Sequence, residues 1–332
     1  MAQPPIVMQA LWRTRGTYFW SLFRKRQGIR AYYEPLHAGL ASNTDQKWTS
    51  DFQYGGVRCL RHPKVDGHYF REYPLRPEGG VALFDPSMSF GKFMLSEQDE
   101  DLALASYLSS LVDYAAQHGQ QAFFKFARGG LRAAYIRRVI GGTQVYVNRP
   151  PSELRVSFGS FGPASYFTAA VTYLAIRYAD RPFCAVVLEF LRALGPFDDA
   201  AARGWIGDGP VAAQRIAAQL NLIQFELLVA TFWLAYLIEG LAIADVVIDT
   251  ERLGCDAEYR NSVSAQLAAL QDQDAFADYR SSPCVDDFIR YAPALRVVVA
   301  ADDRLSALSR RIPPRAADSL GDASRRLLDA VV

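Results

Sequence analysis

Apolar and polar positions along this chain fall into two kinds of block, short apolar runs and longer stretches with helical spacing. Ile6-Val7-Met8-Gln9-Ala10-Leu11-Trp12 is an apolar run of strand length, and aromatic and basic residues then recur at helical spacing over residues 18–25. Residues 29–33 predict a second strand, closed by Pro35, which also biases Glu34 away from helix. Residues 42–93 are rich in Gly, Pro, Tyr, His and charge without sustained periodicity, and read as a long irregular insertion. An amphipathic helix over 97–116 follows, then a strand over 121–126. A helix over 131–140 carries Arg132, Arg137 and Arg138 and stops at Gly141-Gly142, and 144–147 predicts the next strand.

The second half, residues 160–332, reads as mostly helical, with helices at 166–178, 182–194 and 211–239, a Gly/Pro/Asp-rich loop at 195–210, and a late strand at 246–249. Residues 227–248 are strongly apolar, but Glu239 and Asp245 interrupt them. A bilayer span needs about 20 apolar residues, so the stretch is expected to be a buried core helix running into a buried strand, with no transmembrane segment. Strands alternating with helices imply an α/β fold whose central, mostly parallel sheet is flanked by helices and binds ligands at the carboxyl ends of its strands. No repeat interrupts the pattern, and residues 1–332 are expected to form one domain.

Composition narrows the functional classes. Half of the 332 residues are hydrophobic, enough for a large core, and a formal charge of +1 gives no bulk attraction to nucleic acid or an anionic membrane. Cys59, Cys184, Cys255 and Cys284 lie far apart with no C-x-x-C pair, and His37, His62, His68 and His118 lack metal-ligand spacing, so no metal site is expected. The opening residues lack the charged, apolar and small-residue regions of a signal peptide. A reducing, cytoplasmic setting is the expectation.

Two segments carry candidate chemistry. Trp12-Arg13-Thr14-Arg15-Gly16-Thr17 stands where a strand gives way to a helix, and backbone N–H groups at a helix start, a glycine, hydroxyls and an arginine make an anion site. A solvated basic turn is the plainer alternative. It is not a Walker A loop, which requires G-x-x-x-x-G-K-[ST]. The second segment, Arg149-Pro150-Pro151-Ser152-Glu153-Leu154-Arg155-Val156-Ser157, directly follows a strand, and its Arg149 and Ser157 can hold one phosphate through a charge-assisted bond and a hydroxyl. Its own alternative is a proline-rich turn with a surface Arg155.

Together the segments resemble the sulfotransferases that use 3′-phosphoadenosine 5′-phosphosulfate (PAPS), which pair an N-terminal [KR]-[ST]-G-x-T loop with a downstream R-x-P-x-[DE]-x-x-x-S segment. Arg149, Pro151, Glu153 and Ser157 match the second pattern residue for residue. Arg13, Thr14 and Thr17 match the first loosely, with Arg15 where the family usually has Gly and Gly16 one place later. The resemblance implies a three-layer, P-loop-like fold. It also implies that Arg13, Thr14 and Thr17, with Arg15, Gly16 and Tyr18 beside them, hold the 5′-phosphosulfate, while Arg149 and Ser157 hold the 3′-phosphate. Lys125 matches a lysine of the animal cytosolic branch, where the catalytic histidine follows two residues later; here that place is Ala127.

Tyr33-Glu34-Pro35-Leu36-His37 resembles the E-P segment of carbohydrate-type and bacterial sulfotransferases, which implies that Glu34 is the general base, with His37 in reserve and Lys125 stabilising charge. An ion pair of Glu34 with a neighbour such as Arg30 is the alternative. A carboxylate serves as base when burial raises its pKa and it reaches the acceptor hydroxyl. The acceptor is expected to be a carbohydrate, glycolipid or other small hydroxyl compound. Trp48, Tyr54, Tyr69, Phe70 and Tyr73 in the insertion would stack on a sugar or pack the insertion onto the core. The family's C-terminal basic loop has no clear counterpart; Arg310, Arg311 and Arg315 are candidate substitutes, and a solvated basic tail is the alternative. Two rival functions stand beside this one, a nucleotide-dependent phosphotransferase and a non-catalytic binding protein of the same fold.

Overall fold

The computed structural model describes residues 3–42, 69–159, 166–197, 214–267, 276, 279 and 288–332. Strands β1 (Ile6–Ala10), β2 (Ile29–Tyr33), β3 (Gln121–Phe126), β4 (Thr143–Asn148) and β5 (Val246–Asp249) form a parallel sheet in the order β2-β3-β1-β4-β5. The chain falls into two compact units. The first comprises Met1–Val147, Ile243–Ile248 and Ala257–Asp278, and the second Asn148–Ala242, Asp249–Asp256 and Tyr279–Val332.

In the first unit helices α1 (Gly16–Arg24), α2 (Ser87–Phe90), α3 (Leu102–Gln117) and α4 (Ala133–Ile140) accompany the sheet. Successive strand residues point to opposite faces, and the aromatic residues of β3 show which helix covers which face. Phe123 stacks on Phe23 of α1 with ring centroids 4.0 Å apart. Phe124 stacks on Tyr32 of β2, whose hydroxyl donates to Leu111 O of α3 at 2.8 Å. Helices therefore flank both faces. The buried stripe of α1 is Phe19, Trp20 and Phe23, and burial of each such side chain contributes about 2–3 kcal/mol. The expected helix over 97–116 starts only at Leu102, because the Asp101 carboxylate accepts from Leu104 N and caps it there. The expected helix over 131–140 opens as a tight 3₁₀ turn at Gly130–Arg132 before α4.

Part of the insertion, residues 43–68 with Trp48, Tyr54, His62 and His68, lies outside the described residues, as do Cys59 and Cys284. The remainder, from residue 69, is irregular apart from α2 and one antiparallel bridge between Leu75 and Val81. Its aromatic residues pack inward: Tyr69 stacks on Trp20, Phe70 and Tyr73 are buried, and the Tyr73 hydroxyl donates to Tyr33 O at 2.9 Å.

The second unit is helical: α5 (Pro151–Gly159), α6 (Tyr166–Arg177), α7 (Pro182–Ala193), α8 (Gln214–Ala217), α9 (Leu222–Ile243), α10 (Thr250–Cys255), α12 (Ala292–Ala301), α13 (Asp303–Ser309), α14 (Pro314–Asp318) and α15 (Asp322–Val331), with α11 (Ala257–Gln266) belonging to the first unit. The helix expected over 211–239 is broken. Asn221 and Gln224 each accept from the other's backbone N–H at 2.9 Å, a reciprocal cap that starts α9 afresh. Helix α9 is apolar on all sides, as a helix surrounded by protein must be. It is long and apolar enough to cross a membrane, yet 94% of its most apolar 18-residue window is buried. Its two carboxylates are both answered. Glu226 accepts from Arg155 at 2.7 Å and also from Arg290 and the Tyr291 hydroxyl, and Glu239 accepts from Arg304.

Candidate functional site

The carboxyl ends of β1, β2 and β3 are neighbours in the sheet, and each delivers residues named from the sequence. After β1 the chain turns through Leu11–Arg15 into α1. Arg13 and Arg15 take left-handed backbone, with φ of 69° and 65°, a conformation that costs a non-glycine residue about 1–3 kcal/mol. Thr14 is buried and turned inward, its hydroxyl donating to Leu11 O at 2.7 Å. Trp12 is buried beside Phe90 and Phe93 with near-parallel rings. Gly16 begins α1 under severe crowding: a Cβ there would meet Lys125 Cε at 2.6 Å and Ala10 Cβ at 2.7 Å. Only glycine lets the Lys125 side chain pass so close to the start of the helix. Thr17 shares a 3.0 Å hydrogen bond with the Tyr33 hydroxyl.

Glu34 follows β2 directly and is left-handed, with φ of 49°. Its buried carboxylate accepts from Lys125 Nζ in a short contact, from Arg128 at 3.1 Å and from Ala127 N at 3.2 Å. Arg30, the neighbour weighed as its partner, instead donates to Gln120 at 2.9 Å and to Glu72 O at 2.8 Å. Burial lowers the Lys125 ammonium, while the Glu34 charge acts the other way. The Arg128 guanidinium lies over the rings of Phe90 and Trp12 at 5.3 and 5.9 Å.

His37 stands nearby, and burial, followed by the charges of Arg128 and Lys125, holds its imidazole well below the usual range. The ring is therefore neutral near pH 7. Its Nδ1 accepts from Gly39 N at 3.1 Å, which leaves the proton on Nε2. In that tautomer His37 is a donor at Nε2 and has no lone pair there for a base.

Arg149 and Ser157 belong to the second unit. The segment for which a proline-rich turn was the alternative is helix α5, with Pro151 as its first residue, where a missing N–H costs nothing. Arg149 Nε donates to Glu153 at 2.7 Å, and Arg149 O accepts from the Trp233 indole at 2.9 Å. Two of the four matched positions thus form an ion pair. Asp249, at the end of β5, caps α10 by accepting from Glu251 N and Arg252 N. The region of Arg310, Arg311 and Arg315 is folded, at the end of α13 and the start of α14.

Arg128, Tyr33 and Arg132 were not singled out as site residues from the sequence. Arg132, fully buried, donates to the carbonyls of Arg128, Ser89 and Lys92 and so fixes the α2 segment beside Arg128. The spacing of Lys125 and Arg128, two cations three apart leaving an apolar strand, was the available signal for Arg128. These features define an α/β protein with a buried ion cluster at the carboxyl edge of a parallel sheet. No family model, curated protein or solved structure matches the chain.

Proposed function

We propose that the chain is a sulfotransferase that binds PAPS and passes its sulfuryl group to a hydroxyl acceptor, on a P-loop-like fold. The observation that carries this reading is the Glu34–Lys125–Arg128 cluster beside the left-handed turn that opens α1. Two cations beside the amides of a helix start provide a seat for negative charge, and an anion that takes up Lys125 and Arg128 leaves the Glu34 carboxylate as the neighbouring proton acceptor. The strand order, with β1 between β3 and β4, supports it as well, since the turn after the central strand is where such folds take their ligand.

The donor set fits a phosphosulfate: arginine, lysine, hydroxyls and helix amides are all hydrogen-bond donors to oxygen anions. When bound, PAPS supplies a sulfur whose bond to the phosphate oxygen breaks as its bond to the acceptor oxygen forms, leaving 3′-phosphoadenosine 5′-phosphate. Arg13, the α1 amides and Thr17 orient the anion. Lys125 and Arg128 offset charge on the transferring and leaving oxygens. Glu34 takes the acceptor proton on its carboxylate. The acceptor is a carbohydrate or a related small hydroxyl compound.

Calorimetric titration with 3′-phosphoadenosine 5′-phosphate, ATP and AMP at one salt concentration tests the donor assignment. Selective binding of the first is expected; preference for ATP would replace the proposal with a phosphotransferase, and binding of none with a non-catalytic role. Glu34→Gln is expected to retain the nucleotide and lower turnover about 10²–10⁴-fold, and unchanged turnover would remove it as base.

A further inference from the structure

Thr17 and Lys125 approach the start of α1 from a helix and a strand, and one residue touches both. Tyr33 is the last residue of β2 and is buried. Its hydroxyl meets Thr17 Oγ1 at 3.0 Å, and its ring faces Lys125 Nζ at 4.8 Å from the centroid. The ring cannot swing away. Trp20 meets it edge-on at 4.9 Å, Tyr69 lies against it at 4.9 Å, Phe70 closes at 5.7 Å, and the Tyr33 carbonyl is tied to the Tyr73 hydroxyl.

We infer that Tyr33 is a positioning residue that aims the Thr17 hydroxyl and the Lys125 ammonium at an anion seated on the β1–α1 turn. The inference rests on the anion-site reading above and adds to it the device that orients the donors. A phenol is the more acidic partner of an aliphatic hydroxyl and so the natural donor in the Tyr33–Thr17 bond. Burial and the neighbouring Glu34 charge push the phenol pKa up, so it holds its proton at every working pH. With its oxygen accepting from Tyr33, Thr17 has its own proton left to donate to an anion. Lys125 is fixed in the same way from two sides, its ammonium held between the Tyr33 ring and the Glu34 carboxylate.

The test is a double-mutant cycle read by calorimetry with two probes, inorganic sulfate and 3′-phosphoadenosine 5′-phosphate. Tyr33→Phe keeps the ring and removes the donor, and is expected to weaken both probes about three- to tenfold, the worth of one hydrogen bond. Thr17→Val should lose at least as much, and the double variant should be no weaker than Thr17→Val alone, because one relay has been cut twice. Thr17→Ser should restore affinity, which a merely structural role for the threonine methyl would not allow. The Thr17 pair reads the same bond from its other end if Tyr33→Phe folds poorly. Undiminished affinity in Tyr33→Phe, or losses that simply add, would overturn the inference. Coupled sulfate binding in a chain that ignores the nucleotide would keep the Tyr33 role and discard the PAPS reading, and a wild-type chain that binds neither probe would discard both.

Discussion

Arg13, Arg15 and Glu34 hold left-handed backbone at turns where glycine would do so without cost, and all three are residues marked by the sequence as chemical. Arg15 is instructive, because it stands where the resembled loop usually has glycine and its φ of 65° is one that glycine takes freely. Glu34 and Lys125 were singled out through the family resemblance, but Arg128 was not paired with Glu34, from which it is separated by 94 positions. No local periodicity carries such a contact. At the same scale, Glu251 is pushed up to about 7 by burial and by the charges of Asp249, Asp322 and Glu153. Its carboxyl binds a proton more tightly in the folded chain than in the unfolded one, so its contribution is fully present below the ordinary carboxylate pKa and is lost as pH rises through 7. Glu251→Gln is therefore expected to raise the melting temperature at pH 8 by about 2–4 °C and to change it little at pH 4. Equal shifts at both pH values, read by scanning calorimetry, would contradict the assigned cause.

Among the elements, strands were the most legible: the runs at 29–33, 121–126 and 246–249 match β2, β3 and β5 at both ends, because buried parallel strands are continuous apolar runs bounded by turns. Helix starts were less so. Periodicity does not distinguish a capped first turn from the polar residues before it, as at Asp101, or detect a reciprocal cap inside a long apolar stretch, as at Asn221 and Gln224. Helix α1 gives a case in which propensity and packing oppose each other. Propensity alone predicts that Gly16→Ala gains about 1 kcal/mol, but the added carbon would lie inside contact distance of Lys125 and Ala10. Packing should win. The variant is expected to lose about 1–3 kcal/mol in urea denaturation and to displace Lys125 from Glu34; a stabilised variant would show that the start of α1 yields more easily than its surroundings indicate.

For the molecule as a whole, composition contains no linker, and the chain enters each compact unit three times. Such interleaving leaves no single crossing point that a sequence could mark. It also predicts that residues 1–147 will not fold alone: the fragment lacks β5 and α11, and leaves β4 as an open edge. Circular dichroism should show no cooperative melting transition for it, and a sharp transition would refute the argument. Synthesis poses a related problem for α9. Glu226 finds one partner, Arg155, already made, but its second arginine, Arg290, and the Glu239 partner, Arg304, emerge 64 and 65 residues after the carboxylates they meet, several seconds later at ordinary elongation rates. During that interval a 22-residue segment that is as long and apolar as a membrane span emerges before part of its cover has been made. Expression yield should accordingly depend on how soon the C-terminal helices follow.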